Sequence, residues 1–508
     1  MAKPIYELIL ENIEDGKLSR SFSLPREDGG TDLRFADGAL DGITVFHTGK
    51  TEMNAAAKKL MLKALNTANR DDPVEAEKQF YELSKTCSAI SVVDEFQDYI
   101  MDNYRRLDAG RVFRTALQMI YYSEHRECVK YGLVILELMA DLDDDEKTAV
   151  RRLALSDEFT LPALWVMSKW KNGNAEIFGL AKKVTGWGRI HAVARLKPET
   201  PEIRRWLLLE GINNDVMPQY SALTVWKKAG IGELLHGSLS DEDFHAVSLI
   251  ISALINEGPV QGISGIDHPE EYLTDYLYAA ETVSLDIDDY DTVFDIDCWA
   301  SNGEHEFPDI AERCADILST ELCEDSVREA ARTGCGLKLA EALGIDVADD
   351  FYEFFCSDYE NQFHQCGFLT SDPRYYNRVL DVFREKLPLN MMSAEPGTTP
   401  FGQESTANYF IELESILFDI GDHPGTGEDL VTAGLRAPGV MTRNAALNAL
   451  LSWTKSLGQP IGEISDSLMK ELKLLFAKEP DDETKEKIQS LIEGVIPGDD
   501  GEEDEENE

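Results

Sequence analysis

The sequence predicts an all-α protein, an irregular superhelix of stacked helix pairs with a small loop- and β-rich cap at its start and an acidic tail at its end. Three observations carry that expectation. Apolar residues recur at steps of three and four from about residue 52 to residue 496. The breaks between such stretches are short and polar, as in NRDDP, DLDDD and KPETP. Neither a period-2 alternation nor a βαβ rhythm is sustained in that span, which argues against Rossmann, TIM-barrel or sandwich architectures.

Residues 1–50 form the cap. Ile5, Leu8, Ile9 and Ile13 share one face, so a short amphipathic helix opens the chain. A glycine-rich stretch follows, with β-prone runs at Leu33–Phe35 and Ile43–Phe46, and reads as a small hairpin or loop. Residues 51–390 form the helical array. Ala57, Leu60, Met61, Ala64, Leu65 and Ala68 line one helix, and Ala76, Phe80, Leu83 and Cys87 line the next. Pro73 and Pro201 stand where proline starts a helix. Residues 391–404, with two prolines and two glycines in LNMMSAEPGTTPFGQE, form a linker loop. Residues 405–497 add helices over Val440–Trp453 and Ser465–Lys478 and another from Asp481. Residues 498–508 carry eight acids and no base, a composition that predicts disorder.

Composition narrows the function classes. The 508 residues hold 95 acidic and 48 basic side chains, a formal charge of −47, yet 43% hydrophobic residues suffice for a core. Nucleic acid and anionic membrane would be repelled by this charge, so neither is an expected partner. The tail supplies only eight of the acids, so the folded body is acidic as well. The opening apolar stretch is interrupted by Glu7 and Glu11 and reads as no secretion signal, and the longest membrane-like run, Ala246–Ile255, is too short to span. Eight scattered cysteines without a CxxC pair fit reduced thiols, and the expected location is the cytoplasm.

The helix pairs share a flavour. AVRRLAL (149–155), RIHAVARL (189–196), SVREAA (326–331) and VMTRNAALNALLSW (440–453) each set an arginine one turn from small or apolar residues. Val440, Arg443, Ala446, Leu447 and Leu450 resemble the first helix of a HEAT repeat, and the pairs together resemble HEAT or armadillo units. Stacking is the physical requirement, because neither helix of a pair buries its stripe alone.

Tests for chemistry return bland readings. In TVFHTGKT, Thr44 stands where a P-loop needs its first glycine, so the segment reads as a turn before a helix, with Thr51 as N-cap. Glu233 with His236 and Glu242 with His245 repeat the Glu-x-x-His spacing of di-iron bundles. Gly237, Ser238 and Ser240 separate the pairs, and Ser240 with Asp243 reads as a capping box. Cys356, His364 and Cys366 give three soft ligands where structural zinc wants four. The acidic runs 286–297 and 141–146 lack the glycine and glutamate of an EF-hand and read as solvated helix ends or a weak cation site. GxSxG and HExxH are absent. The candidate binding residues are aromatic and cationic: Trp165, Trp170, Trp187, Arg189, His191 and Trp206. Tryptophan is enriched at interface hot spots, while the simpler role for these rings is to wedge between helices, with Arg189 bridging repeats.

PIYELILENIEDGKL (4–18), FSLP (22–25), and GRIHAVARLKPETPEIRRWLLLEG with the following VMPQYSALTVWKKAG resemble a family of bacterial, mainly Gram-positive, proteins, some of which carry the name limonene hydroxylase. The resemblance covers about half the chain. It implies an NADH-dependent monooxygenase that makes carveol and perillyl alcohol, with a redox centre it does not identify, and it assigns no catalytic residue. From the residues themselves, the leading expectation is a non-catalytic scaffold without cofactor or metal, binding a protein or peptide, with basic partners favoured.

Overall fold

The computed structural model describes residues 3–25, 35–139, 141–301, 307–399 and 407–494. Helix occupies 69% of the chain, and the sheet among the described residues has two strands, so the fold is all-α. Two compact units form, Met1–Ser319 and Thr320–Glu508. The 498–508 tail and residues 400–404 of the 391–404 linker lie outside the described residues.

The chain opens on the expected amphipathic helix, Ile5–Glu11, with Ile5, Tyr6 and Ile9 buried. The hairpin comes earlier than expected, pairing Ile13–Glu14 with Lys17–Leu18. Its turn is Asp15–Gly16, with both residues at positive φ (49° and 74°). That two-residue geometry matches the twist of the strands, and an Asp-Gly pair adopts it readily. The β-prone run Ile43–Phe46 is helical instead. It spans the end of a helix at Ala39–Ile43 and a π turn at Thr44–Thr48, because Phe46 packs on the Trp187 ring, 6.2 Å between centroids. Leu33 lies outside the described residues.

In the first unit, successive helices pack as pairs: Ala55–Asn69 on Pro73–Ser84, Ala109–Tyr122 on Arg126–Glu137, Ile287–Ser301 on Pro308–Leu318. The first helix buries Ala57, Met61, Ala64, Leu65 and Ala68, five of the six residues of its expected face, with Leu60 half-buried. Its N-cap is Asn54, whose side chain accepts the Ala57 N–H; Thr51 lies further back, its N–H on the Ser91 carbonyl. Asp72 caps the next helix and Pro73 opens it. That helix ends at Ser84, so Cys87 lies past it, its thiol 3.6 Å from the Tyr131 hydroxyl. Thr200 and Pro201 repeat the cap-then-proline start.

In the second unit the expected helices fall at Val440–Leu457, Asp466–Phe476 (capped by Ser465) and Asp482–Glu493 (capped by Asp481). Arg443, Ala446, Leu447 and Leu450 are buried on the first of these. Arg443 is wholly enclosed, and its guanidinium meets Glu479 through two bonds of 2.7 and 2.8 Å. Its remaining protons go to the carbonyls of Ala437, Pro438 and Gly397, so the buried charge is fully satisfied. Truncating one partner of such a pair strands the other. Arg443→Ala is expected to destabilise this unit by roughly 3–5 kcal/mol, read as loss of hydrogen-exchange protection at the Val440–Leu457 amides.

Candidate functional site

Four places in the described residues concentrate polar chemistry. The first is in the Arg126–Glu137 helix, where every residue from Cys128 to Leu136 is buried, Lys130 among them. A lysine there is costly unless anions surround it. Its Nζ lies 2.8 Å from Asp41, 2.7 Å from Glu158 and 3.2 Å from Glu127. These carboxylates outweigh the effect of burial and hold the ammonium well above its usual pKa. One turn earlier, Arg126 binds Asp37 at 2.9 Å and the carbonyls of Leu24 and Pro25 at 3.0 Å. Glu158 also accepts the Gly38 N–H. Gly38 is at φ 80°, and a Cβ there would lie 2.6 Å from the Asp157 carbonyl oxygen. The node therefore pins Leu24–Pro25 and Asp37–Asp41 onto two helices.

Beside it stands an aromatic cluster. Trp187 and His191, one turn apart on the Gly186–Arg195 helix, meet Phe46 and Tyr220, with centroid separations of 4.8–6.3 Å. Gly42 is the close approach: an added Cβ would lie 2.2 Å from the Trp187 ring. His191 is buried, its Nε2 has no hydrogen-bond partner, and burial with the Lys130 charge pushes its pKa down to about 4. It is a neutral core imidazole. Of the other expected binding residues, Arg189 lies over Trp206 (5.1 Å) and bonds the Glu210 carbonyl at 2.7 Å, bridging its helix to Pro201–Glu210. Trp206 meets Phe178 edge-on, Trp170 lies under Arg151, and Trp165 is half-buried in the Asp157–Ser168 helix. The six residues thus divide into a Trp187–His191 pair, an Arg189–Trp206 pair and two separate tryptophans.

The third place unites two motifs that look unrelated in sequence. His245 from the Asp241–Ile255 helix faces Asp286 and Asp289 at the start of Ile287–Ser301, three donors within 4.8 Å. The set suits a divalent cation in type. Its donors are also mutually satisfied: Asp289 accepts from His245 Nδ1 at 2.5 Å, from the Ser248 hydroxyl at 2.6 Å and from the Asp286 N–H. Far from being a solvated helix end, Asp289 is wholly buried. The two Glu-x-x-His pairs do not converge, since His236 pairs with Asp275. Cys356, His364 and Cys366 do not gather either: His245, Asp286 and Asp289 are the one such group found among the described residues.

The fourth is a groove of about 980 Å³ in the second unit, between Tyr359–Gln362, the end of Tyr376–Lys386 and the start of Ala407–Ile420. Tyr359, Phe363 and Tyr409 supply rings, and Asp358, Glu360 and Glu412 supply carboxyls. Glu412 is 8% exposed, and burial raises its pKa. The buried Tyr359 hydroxyl lies beside it without a well-formed hydrogen bond. Its one signal in the sequence is the aromatic–acidic interleaving of DYENQF and NYFIELE.

No family model matches the chain, and no curated protein does. The resemblance to proteins named limonene hydroxylase therefore gains no relative. No helix among the described residues is long and apolar enough to cross a membrane.

Asp157 provides a test of the first unit's electrostatics. Burial pushes its carboxyl up to about 7, against the opposing N–H groups of Gly188 and Trp187. The folded state thus holds this proton more tightly than the unfolded chain. Its contribution is complete below about pH 4 and is lost as pH rises through about 7. Asp157→Asn keeps one acceptor oxygen beside these N–H groups and removes the titration. The variant is expected to match wild type near pH 4 and to be the more stable near pH 8, as measured by urea unfolding at each pH.

Proposed function

We propose that this protein is a helical scaffold that binds a basic segment of a protein or peptide, with the Tyr359–Phe363–Tyr409 groove taking an arginine or lysine side chain. The observation that carries the reading is the groove's composition. Aromatic faces attract a cation through their quadrupoles, by roughly 0.5–2 kcal/mol each as the site is desolvated. The adjoining carboxyls supply charge-assisted acceptors. Glu412, held toward neutrality by burial, gains an ionising partner when a guanidinium arrives. The −47 charge of the chain steers such a segment inward. Ile411 at the groove wall and Phe418 two turns further along the same helix are 42% and 81% exposed and offer apolar contact to the flanking residues of the segment. Lys386 at the groove wall opposes the cation.

Fluorescence anisotropy with a labelled arginine-rich peptide tests this. Affinity is expected to fall steeply between 50 and 300 mM salt, to weaken about tenfold (~1.4 kcal/mol) in Glu360→Gln/Glu412→Gln, and to rise in Lys386→Gln. Binding indifferent to salt and to these substitutions would overturn the proposal.

A further inference from the structure

A second concavity, in the first unit, has the opposite sign. It encloses about 570 Å³ between the N-terminal hairpin, the start of the Asp157–Ser168 helix and the loop before Gly186–Arg195. Lys17, Arg20, Lys182, Lys183 and Arg189 all line it. In a chain with twice as many acids as bases, five cations in one cleft is a marked local reversal. The first four form no ion pair among the described residues. Arg189 gives one nitrogen to Glu210 but leaves Nε without a partner.

The two carboxylates in the wall are already committed. Asp37 is tied to Arg126 at 2.9 Å and to the Leu24 N–H. Asp157 accepts the N–H groups of Trp187 and Gly188. Ser156 supplies the independent observation. It is the N-cap of a twelve-residue helix, yet its hydroxyl caps nothing. The residue is 1% exposed, it lines the cleft, and its Oγ has no hydrogen-bond partner. A buried hydroxyl at a helix N-terminus without a hydrogen-bond partner, in a cleft lined by five cations of which Lys182 also lies over the Phe178 ring at 4.0 Å, suits an anion with several acceptor oxygens.

We infer that this cleft binds the phosphoryl group of a small phosphorylated metabolite. Lys182, Lys183, Lys17 and Arg20 neutralise its charge, Ser156 Oγ and Arg189 Nε donate to its oxygens, and the remaining volume holds the organic part. The site is separate from the groove assigned to a basic segment, and its test is independent of that assignment.

Isothermal titration of the full chain with inorganic phosphate and with pyrophosphate, at constant ionic strength, tests the inference. The expected result is saturable binding, tighter for pyrophosphate, with a rise in melting temperature that sodium chloride does not reproduce. Lys182→Gln/Lys183→Gln is expected to weaken binding at least tenfold. Ser156→Ala, which removes no capping bond, is expected to weaken it severalfold with the ligand-free melting temperature unchanged. If the lysine pair proves needed for folding, Lys17→Gln/Arg20→Gln carries the same expectation. The inference is overturned by absence of saturable binding, by equal affinity in the folded variants, or by chloride matching the thermal shift.

Discussion

Lys130 sets the terms for the first unit. An ammonium enclosed in a helix buried from Cys128 to Leu136 cannot persist alone, and its own helix offers one carboxylate within reach, Glu127. The others are brought from distant parts of the chain: Glu158 from the Asp157–Ser168 helix and Asp41 from the N-terminal segment. Satisfying one charge thus fixes the relation of three stretches of backbone. Arg126, Asp37 and Gly38 extend the same network, and the Trp187–Phe46–Tyr220 rings close over it. Replacing a buried ion cluster by apolar side chains often costs no stability. What this cluster supplies is a single allowed position for the cap.

Much of the fold is legible in the sequence because it rests on local rules. The helix faces follow from apolar spacing, and Asp72–Pro73, Thr200–Pro201, Ser465 and Asp481 mark helix starts through capping chemistry that needs no tertiary information. Arg443 is legible as a repeat feature, but its partner Glu479, 36 residues on, is not. The hairpin's own signal is Asp15–Gly16, whereas the β-branched composition of Ile43–Phe46 is overridden by tertiary contact with Trp187.

The polar sites were harder to read because each is assembled across long separations. His245 and Asp289 lie 44 residues apart, and each looks ordinary in its own segment. Lys130, one turn from Glu127 and flanked by Val129 and Tyr131, carries no sign in the sequence that every residue from Cys128 to Leu136 is covered. Composition, too, conceals arrangement. A net charge of −47 says nothing of five cations gathered around one cleft, nor of an acidic groove whose walls are aromatic.

The contact of the cap with Tyr220 has a consequence for biosynthesis. His47 and Tyr220 are 173 residues apart and share a hydrogen bond of 2.8 Å. A ribosome adding about 5–20 residues per second needs on the order of ten to thirty seconds to cover that interval. Asp41 meets Lys130 part-way through it, but Phe46 waits for Trp187 and then Tyr220 while the helix pairs behind it emerge and close in turn. Phe46 and His47 thus settle only after more than half of their unit has been made. Their docking is therefore a seal on the helices between Ala55 and Arg195, and its arrival reports that the Trp187 face beneath it is already in place.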